Sequence, residues 1–574
     1  MNLLPAKRRL LTQSFYKAIE ITNFQDLAVI FVAGLFDRWA NCRLMTTSKK
    51  PWPPSRDEKP VSTLIDLIHG TIPLPHPIDV LVDTPEFQRL RRIKQLGTAF
   101  SVFPNCDHNR FVHSLGVYHL ARLFVHAIAE RSSNVIVTQR DELCVSIAGL
   151  CHDLGHGPLS HVFDGPFMLA ANPDARWRHE KGSVLMFDRI CKYDFVQKAL
   201  LEYLDEDDFI FIRELIDPPI ERFTEEGKWK YRGRPLEKSF LYDIVSNSID
   251  SVDVDKFDYL LRDSHHAAIA IPFNQNSVMR LMDWMRPLDV IEQFPNGRTL
   301  KYSRICFAIK VTDDVDSVGQ SRYMLHEKLY SHHTVRAYEY MILQALISAD
   351  PYLQFEGDDH RLYQLSRTYE NLGAFLKTDD SIIQMVLFEY FIFMRAFPVE
   401  NSSLDELKSA RRILRDLSFR ILPKLIGTVM MRNSNNCTQD KVKDRIYELA
   451  DSNLVSEEDF IVCIRSMHRG MGIEKHPMNE VLFYDHKAHS QHLEPYRIDQ
   501  ALLKHKSSMF GGSKSVMIYV NAATIAKPNA AQIITELLAA FEKFTHEESH
   551  ENMVKILLSL FVENAETVDW GAVY

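Results

Sequence analysis

Two imidazoles and two carboxylates from three separate stretches carry the first chemical signal of this chain: His113, the adjacent pair His152-Asp153, and Asp255. Mixed nitrogen and oxygen donors of this kind can hold one divalent cation inside a helical bundle. A cation so held activates water and polarises phosphoryl oxygens, so the first expectation is a metal-dependent phosphohydrolase. A His-Asp dipeptide alone is common by chance. Its setting is not: Gly149-Leu-Cys-His152-Asp153-Leu-Gly155-His156-Gly157-Pro-Leu-Ser-His161 packs histidine and glycine around the pair at the end of an apolar helical run. The donor types suit iron, manganese, zinc, nickel or magnesium without choosing among them.

Two further patterns accompany this set. Asp255, Tyr259 and Asp263 are spaced i, i+4, i+8, as are Arg322, His326 and Tyr330, so each trio lies along one face of a helix. Together they offer cations for phosphate, phenols for a sugar and a carboxylate for a hydroxyl. A solvated polar face would show the same spacing, but it has little use for tyrosine. The segment Thr84 to Gly97 is basic yet interleaved with apolar residues. It reads as an amphipathic helix, either with solvated arginines or with phosphate-binding cations that end at Gln95 and Leu96 beside the pocket.

The elements that must position these groups are mostly helical. Phe111, Leu115, Tyr118, Val125 and Ile128 recur at helical intervals, as do Leu143, Ile147, Leu150 and Cys151. Arg304 to Lys310 reads as a strand preceded by an Asn296-Gly297 turn; Val455 to Cys463 and Ser515 to Val520 also read as strands, and Ala530 to Phe544 as a helix. Pro51 to Pro60, with four prolines, reads as a linker with almost nothing to bury. The expected class is mainly α: a helical bundle over 61–346 and a mixed α/β region over 347–574, after an extension over 1–50 and the linker over 51–60. With 574 residues, 46% hydrophobic and 25% charged, the chain is long enough for two or more domains. Its net charge of −9 gives no general attraction to nucleic acid or anionic membrane. Eight scattered cysteines without a Cys-x-x-Cys pair argue for a reducing compartment and against a cysteine zinc site. The most apolar stretch, Leu27 to Phe36, is about half the ~20 residues that span a bilayer and reads as a short amphipathic helix. Lys7-Arg8-Arg9 before it reads as a solvated basic turn, or as a weak nuclear import signal.

Longer runs carry a resemblance. Asp66-Leu-Ile-His-Gly70, Asp83-Thr-Pro-Glu-Phe-Gln-Arg-Leu-Arg91, Ile93-Lys-Gln-Leu-Gly97, His108-Asn-Arg-Phe-Val-His-Ser-Leu-Gly116, the run from His152 to His161, and Asp253-Val-Asp-Lys-Phe-Asp-Tyr259 resemble the SAM-and-HD-domain deoxynucleoside triphosphate triphosphohydrolases of animals. The similarity covers Leu64 to Leu346 and continues more faintly beyond; no SAM domain is recognisable before Pro51. The resemblance implies an HD-domain fold whose C-terminal region serves regulation and oligomerisation, and hydrolysis of a deoxynucleoside triphosphate to deoxynucleoside and triphosphate, with control of the deoxynucleotide pool and restriction of viral replication as consequences. It makes His113, His152, Asp153 and Asp255 ligands of one zinc, iron or manganese ion, with magnesium on the substrate phosphates. His156, His161, Asp164 and His179 match inner-pocket residues associated with catalysis; Asp164 and His179 rest on the resemblance alone. Gln95, Leu96, Arg110, Lys256, Tyr259, Asp263, Arg322, His326 and Tyr330 match the substrate pocket. In that reading the three cations hold the triphosphate, and His161, oriented by Asp164, or His179 protonates the departing 5′ oxygen. Gln95 and Asp263 bond the 3′ hydroxyl, Leu96 and Tyr330 press on the 2′ carbon, and any of the four bases is accepted.

The family is switched on by nucleotides that bind at allosteric sites and glue four chains together, so a homo-oligomer, from dimer to tetramer, is expected here. Asp83, Gln88 and Arg91 match its guanine readers, and Val102 and Phe103 part of a neighbouring site, so GTP and deoxynucleotides are expected activators. Ser62, Ile65, Ser277, Ala308 and His333 replace usual lysine, arginine or asparagine, which implies weakened or retuned activation. A Thr-Pro-x-Lys motif is absent from Glu566 to Tyr574, and of the redox-linked cysteines only Cys306 has a counterpart. Two other readings stand beside the leading one: another HD-type phosphohydrolase (phosphodiesterase or nucleoside monophosphatase), and a single-stranded nucleic-acid-binding protein using Lys504-His-Lys506 and the arginines from Arg89. The expected location is nucleus or cytoplasm, with no membrane partner.

Overall fold

The computed structural model describes residues 49–50, 52–54, 61–387, 405–431, 438–487, 493–498 and 511–547, and the backbone of 553–558. The Leu27 to Phe36 helix, the Lys7-Arg8-Arg9 turn, Lys504 to Lys506 and the C-terminal end lie outside these residues.

Three helices form the centre. After the hairpin β1 (Ser62–Asp66) and β2 (Gly70–Leu74) and the short helix α1 (Pro85–Arg89), helix α2 (Arg110–Arg131) runs against α3 (Gln139–Cys151) and α5 (Val254–Ala267), with α4 (His179–Ile190) between the last two in sequence. Each is started by a side chain that satisfies backbone donors the helix cannot. Asn109 accepts from Val112 N, Thr138 and Asp141 form a reciprocal capping box, and Asp253 accepts from Lys256 N. Helix α2 is buried nearly all round over its first half, where the core encloses it, while Leu123, His126 and Glu130 leave an exposed stripe along its second half. Helix α5 is amphipathic in a more useful way: Phe257 and Leu260 point into the core, while the Asp255, Tyr259 and Asp263 stripe remains for the site. At the crossing of α2 and α5 stands Gly116, where a Cβ would lie 1.8 Å from Asp258 Oδ1. Only glycine lets these backbones approach.

Beyond α5 come α6 (Gln275–Trp284), the hairpin β3 (Met285–Gln293) and β4 (Thr299–Ala308), then α7 (Thr312–Leu325) and α8 (His333–Ala349). The hairpin pairs Met285 with Phe307 through Gln293 with Thr299, and Gly297 at its tip takes φ +80°, which the Asn-Gly signal anticipates. After α9 (Asp405–Ser418), strands β5 (Lys424–Met431), β6 (Phe460–His468), β8 (Gly512–Val520) and β9 (Met553–Leu558) form an antiparallel sheet in the order β9-β5-β8-β6, and β7 (Phe483–Tyr484) adds a parallel edge to β4. Helices α10 (Gln439–Leu449) and α11 (Ala530–Glu547) bury Val442, Ile446, Leu537 and Phe541 in a second core with Val516 and Ile518 of β8. The chain is mainly α, with small sheets toward the C-terminus, as expected. A single larger core takes in residues on both sides of position 346, and α8 runs through that position.

Several local expectations need correction. The basic segment is not one helix: α1 gives way to a 3-10 turn at Leu90–Arg92, Ile93 is extended, and Gln95 and Leu96 sit in the loop after the Lys94–Asn109 bridge. Its arginines are not simply solvated, since Arg89 is fully buried and donates to Thr378 O and Oγ1. The linker buries more than proline content suggests: Trp52 is 1% exposed and donates through Nε1 to His76 O. The strand expected from Val455 begins at Phe460, because Asp459 and Ser456 close a turn first. The strand at Arg304 is the end of β4 and stops at Ala308.

Candidate active site

Helix α3 ends at Cys151, so His152 caps it and Asp153 lies in the turn beyond. That geometry, rather than an unbroken helix, turns both side chains the same way. His113 Nε2 stands 3.5 Å from Asp153 Oδ2 and 3.1 Å from Asp255 Oδ1; His152 Nε2 is 3.4 Å from both Asp153 Oδ1 and Asp255 Oδ1. His113, His152 and Asp153 bring one donor atom each within 4.8 Å of one another, as donors sharing a centre do, and Asp255 closes on both imidazoles without joining that group. The rest of the geometry fits a cation. His113 Nδ1 lies 2.7 Å from Asp258 and His152 Nδ1 2.9 Å from Gly149 O, which leaves each Nε2 turned toward the shared point. His152 Nε2 is buried without a hydrogen-bond partner, an orphaned lone pair of the kind a Lewis acid satisfies. Burial pushes the carboxyls of Asp153 and Asp255 upward, but Arg110 beside Asp153 and the two imidazoles beside Asp255 overcome it, so both are held in the ionised form that ligation requires.

Asp258 carries no signal of its own in the sequence, although it lies within the quoted Asp253–Tyr259 run. It holds His113, accepts from His69 Nε2 at 2.6 Å, and receives the Arg262 guanidinium at 2.8 Å; Arg262 also reaches Asp66 at 2.9 Å. This buried network explains on physical grounds why Asp66 and His69 belong to the pattern.

Next to the ligand set is a histidine cluster. His156, His161, Asp164 and His179 bring one ligand-type atom each within 4.8 Å of one another. His156 stacks on His179 with centroids 3.9 Å apart, and His161 presents its edge to both. Asp164 does not orient His161 as expected. Its Oδ2 abuts His156 Nδ1 and lies 3.6 Å from His179 Nδ1, while Trp177 donates to Oδ1. Burial, with Arg110 and the neighbouring imidazoles, pulls His156 and His179 down to about 3 and His161 well below its usual range. Of the four, His161 opens onto the adjoining cavity.

That cavity has a volume of about 680 Å³, within the range that encloses a small organic ligand. All nine substrate-pocket residues expected from sequence line it, together with Asp255. Gln95 and Leu96 come from the loop, Arg110 from α2, Lys256, Tyr259 and Asp263 from α5, and Arg322 from α7. His326 and Tyr330 follow on a π turn, His326–Tyr330, rather than on a continuous α-helix; the widened turn still keeps both on the cavity. Tyr330 Oη donates to Asp263 Oδ2 at 2.6 Å, and His108 Nε2 is 2.7 Å from the other oxygen. Arg110 reaches Asp153 at 2.5 Å and Ser160 Oγ at 2.9 Å, Lys256 pairs with Asp253 at 2.9 Å, and Arg322 donates to His468 O.

Three supports of the site are not visible in the sequence. His108 sits in a quoted run, but nothing there names its partner. Asp380, far along the chain, accepts from Lys94 N at 2.8 Å and Leu159 N at 2.6 Å and so ties two cavity walls together. Leu159 and Ser160 there take φ +59° and +56°, a left-handed pair that no pattern announces. Arg336, Glu339 and Arg465 also line the cavity without any signal from spacing.

The residues matched for allosteric nucleotides lie elsewhere. Asp83 is exposed at the start of α1; Gln88 Oε1 accepts from Arg91 Nε at 2.8 Å, and the Arg91 guanidinium rests 3.5 Å over Phe111. Val102 and Phe103 are half-buried, with Phe103 edge-on to His332. Within the basic run Arg89 is buried, Arg91 and Arg92 are exposed, Arg92 pairs with Asp379 and Lys94 with Asp107.

The HD domain family model matches residues 110–260. The deoxynucleoside triphosphate triphosphohydrolase SAMHD1 of Danio rerio is 36% identical over 521 residues, 86% of this chain and 79% of that protein. SAMHD1 of Homo sapiens is 38% identical over 434 residues, 73% of this chain and 64% of that protein. The SAMHD1 homolog of Dictyostelium discoideum is 32% identical over 424 residues, 73% and 70% of the two chains.

Proposed function

The chain belongs to the SAMHD1 family of deoxynucleoside triphosphate triphosphohydrolases, and we propose that it hydrolyses deoxynucleoside triphosphates to deoxynucleosides and inorganic triphosphate. One observation carries this reading: nine side chains suited to phosphate, sugar and hydroxyl recognition, from four segments of the chain, line one cavity together with Asp255 and His161.

His113, His152, Asp153 and Asp255 would hold one divalent cation, zinc, iron or manganese, with magnesium accompanying the substrate phosphates. When bound, the cation supplies Lewis acidity toward an α-phosphate oxygen and lowers the pKa of water. The protein's own groups do the rest. Arg110, Lys256 and Arg322 take the triphosphate charge, which is costly to bring out of water unpaired. Water attacks the α-phosphorus, the bond to the 5′ oxygen breaks, and that oxygen needs a proton to leave. His161 faces the cavity and is the best placed acid of its cluster, with His179 behind it. Its imidazole is held neutral by desolvation, by the crowding imidazoles and by the Arg110 cation, and the arriving polyanion reverses that electrostatic balance. Asp263, fixed between His108 and Tyr330, and Gln95 would accept and donate to the 3′ hydroxyl. Leu96 and Tyr330 would exclude a 2′ hydroxyl by close contact, since an apolar wall without it rejects a hydroxyl weakly.

Residues 61–346 would then form the catalytic domain and 347–574 a regulatory and oligomerisation region, with 1–50 an extension outside both. Asp83, Gln88, Arg91, Val102 and Phe103 would receive GTP or deoxynucleotide activators in a dimer or tetramer. The site of action is the nucleus or cytoplasm, in control of the deoxynucleotide pool; no described helix is long and apolar enough to cross a membrane.

The test is chromatography of the products from the purified chain given each deoxynucleotide and ribonucleotide. Triphosphate with deoxynucleoside is expected. Orthophosphate release, or turnover of monophosphates or cyclic diesters instead, would replace this reading with another HD-type phosphohydrolase. Asp153→Ala should lower hydrolysis by at least a thousandfold and remove the bound cation, measured by metal analysis of the same sample.

A further inference from the structure

The cavity contains a second charged cluster that the roles above leave unused. Arg336 and Glu339, one turn apart on α8, meet Arg465 of β6. Arg336 Nη1 and Arg465 Nη2 both donate to the same oxygen, Glu339 Oε2, the latter at 3.3 Å. Two guanidiniums thus share one carboxylate, leaving an excess positive charge where Arg336 is 11% and Glu339 16% exposed. The Nε–H groups of both arginines are buried and have no hydrogen-bond partner. Buried donors in this state are costly unless a ligand supplies acceptors.

The position of the cluster indicates which part of a ligand it meets. Arg322, assigned to phosphate, touches His468 of β6, and Arg465 lies three residues back along that strand, roughly 10 Å away. On the other wall the chain passes from Arg322 and His326 to Tyr330 at the sugar, and only then to Arg336 and Glu339 on α8. On both walls the cluster is displaced along the chain from Arg322, which leaves it for a part of the ligand other than the phosphates.

We infer that Arg336, Glu339 and Arg465 form a base-recognition site that ranks deoxynucleotides, favouring guanine. The inference rests on the hydrolase reading above and replaces equal acceptance of four bases with a graded preference. A guanidinium fork matches guanine O6 and N7, two adjacent acceptors; adenine replaces one with an amino donor, thymine keeps O4 alone, and cytosine presents an amino group. Guanine also offers N–H donors that the shared Glu339 can accept.

The experiment measures triphosphate release by the full chain from each of the four deoxynucleotides, with a constant saturating concentration of GTP in every assay. The expected result is a kcat/KM for dGTP roughly tenfold above that for dATP and dCTP, with dTTP between. Arg465→Gln, at the more exposed arginine, should collapse the dGTP to dATP ratio toward one. Arg336→Lys, which keeps the charge but loses the fork, should do the same, with unchanged melting temperatures showing that both variants fold. Equal kcat/KM for all four bases in the unaltered chain, or variants that lower all four in parallel, would overturn the inference while leaving the hydrolase reading intact. Absence of triphosphate release from every deoxynucleotide would instead remove the hydrolase reading, and the inference with it.

Discussion

At the scale of single residues, the candidate centre depends as much on what holds the ligand side chains as on the ligands. His113 can turn its Nε2 toward Asp153 and Asp255 because Asp258 fixes its Nδ1. Burial alone would push the Asp258 carboxyl up; Arg262, His113 and His69 hold it far below the usual carboxylate range, so it remains a charged acceptor. Asp258→Asn keeps the shape and removes the charge. It should weaken cation affinity about 10- to 100-fold, the usual effect of removing such a support. Competition against a chelator of known affinity measures this, and unchanged affinity would show that His113 needs no such anchor. The four candidate ligands are legible in the sequence because His, Asp and the surrounding glycines are unusual together. Asp258 is not, since one more aspartate on a helix carries no sign of which imidazole it faces. The partner of Asp164 is hidden for the same reason: nothing in the spacing says that it meets His156 and His179 before His161.

At the scale of elements, apolar periodicity predicts α2 and α3 well, because each repeats its apolar residues over several turns, and the stripe of Asp255, Tyr259 and Asp263 marks α5. What it cannot show are the interruptions that aim side chains: the break after Arg92, the end of α3 before His152, and the π turn carrying His326 and Tyr330. The first of these is fixed by a tertiary interaction, Asp380 with Lys94 N and Leu159 N. The α2–α5 crossing makes a sharp prediction. Gly116→Ala would place a methyl on the Asp258 carboxylate, so the helices must separate, with an expected loss of about 1–3 kcal/mol in urea unfolding and a fall in cation affinity. A neutral effect on both would mean that the crossing is slack. Helix α2 also carries a pH liability. Half-buried His119, near His69 and Arg122, is pulled down to about 4 from the ordinary 6.5, chiefly by burial. The unfolded chain therefore takes up this proton first as pH falls, and stability present above 6.5 is lost toward pH 4, by about 3 kcal/mol at most. Unfolding midpoints from pH 7 to 4.5 should fall less steeply for His119→Leu than for the unaltered chain; parallel slopes would acquit His119.

At the scale of the whole molecule, the allosteric nucleotide sites proposed above separate into positions that are kept and positions that are altered. The positions matched to guanine reading are intact and preset: Gln88 and Arg91 hold each other, Arg91 is stacked on Phe111 of α2, and Asp83 is exposed beside them. The positions matched to phosphate holding are not. Ser62 and Ile65 lie exposed on the first hairpin strand (Ser62–Asp66), with Ile65 92% exposed, and His333 is exposed at the start of α8. Ser277 and Ala308 are buried, Ala308 completely, and carry no charge to offer. A charge-assisted hydrogen bond to a triphosphate is worth roughly 1.5–3 kcal/mol, so for activators bound at the proposed sites the absence of several would shift an activation constant by orders of magnitude while leaving base recognition in place. The consequence is specific: activation should remain guanine-selective but become weak and nearly indifferent to phosphate number. GTP and GDP should then stimulate hydrolysis of a deoxynucleotide at similar, high concentrations, and light scattering should show the heavier oligomer only at those concentrations. Strong stimulation by micromolar GTP, with GDP inert and a tetramer already complete, would mean that other cations have taken over the triphosphate and that these five substitutions are silent.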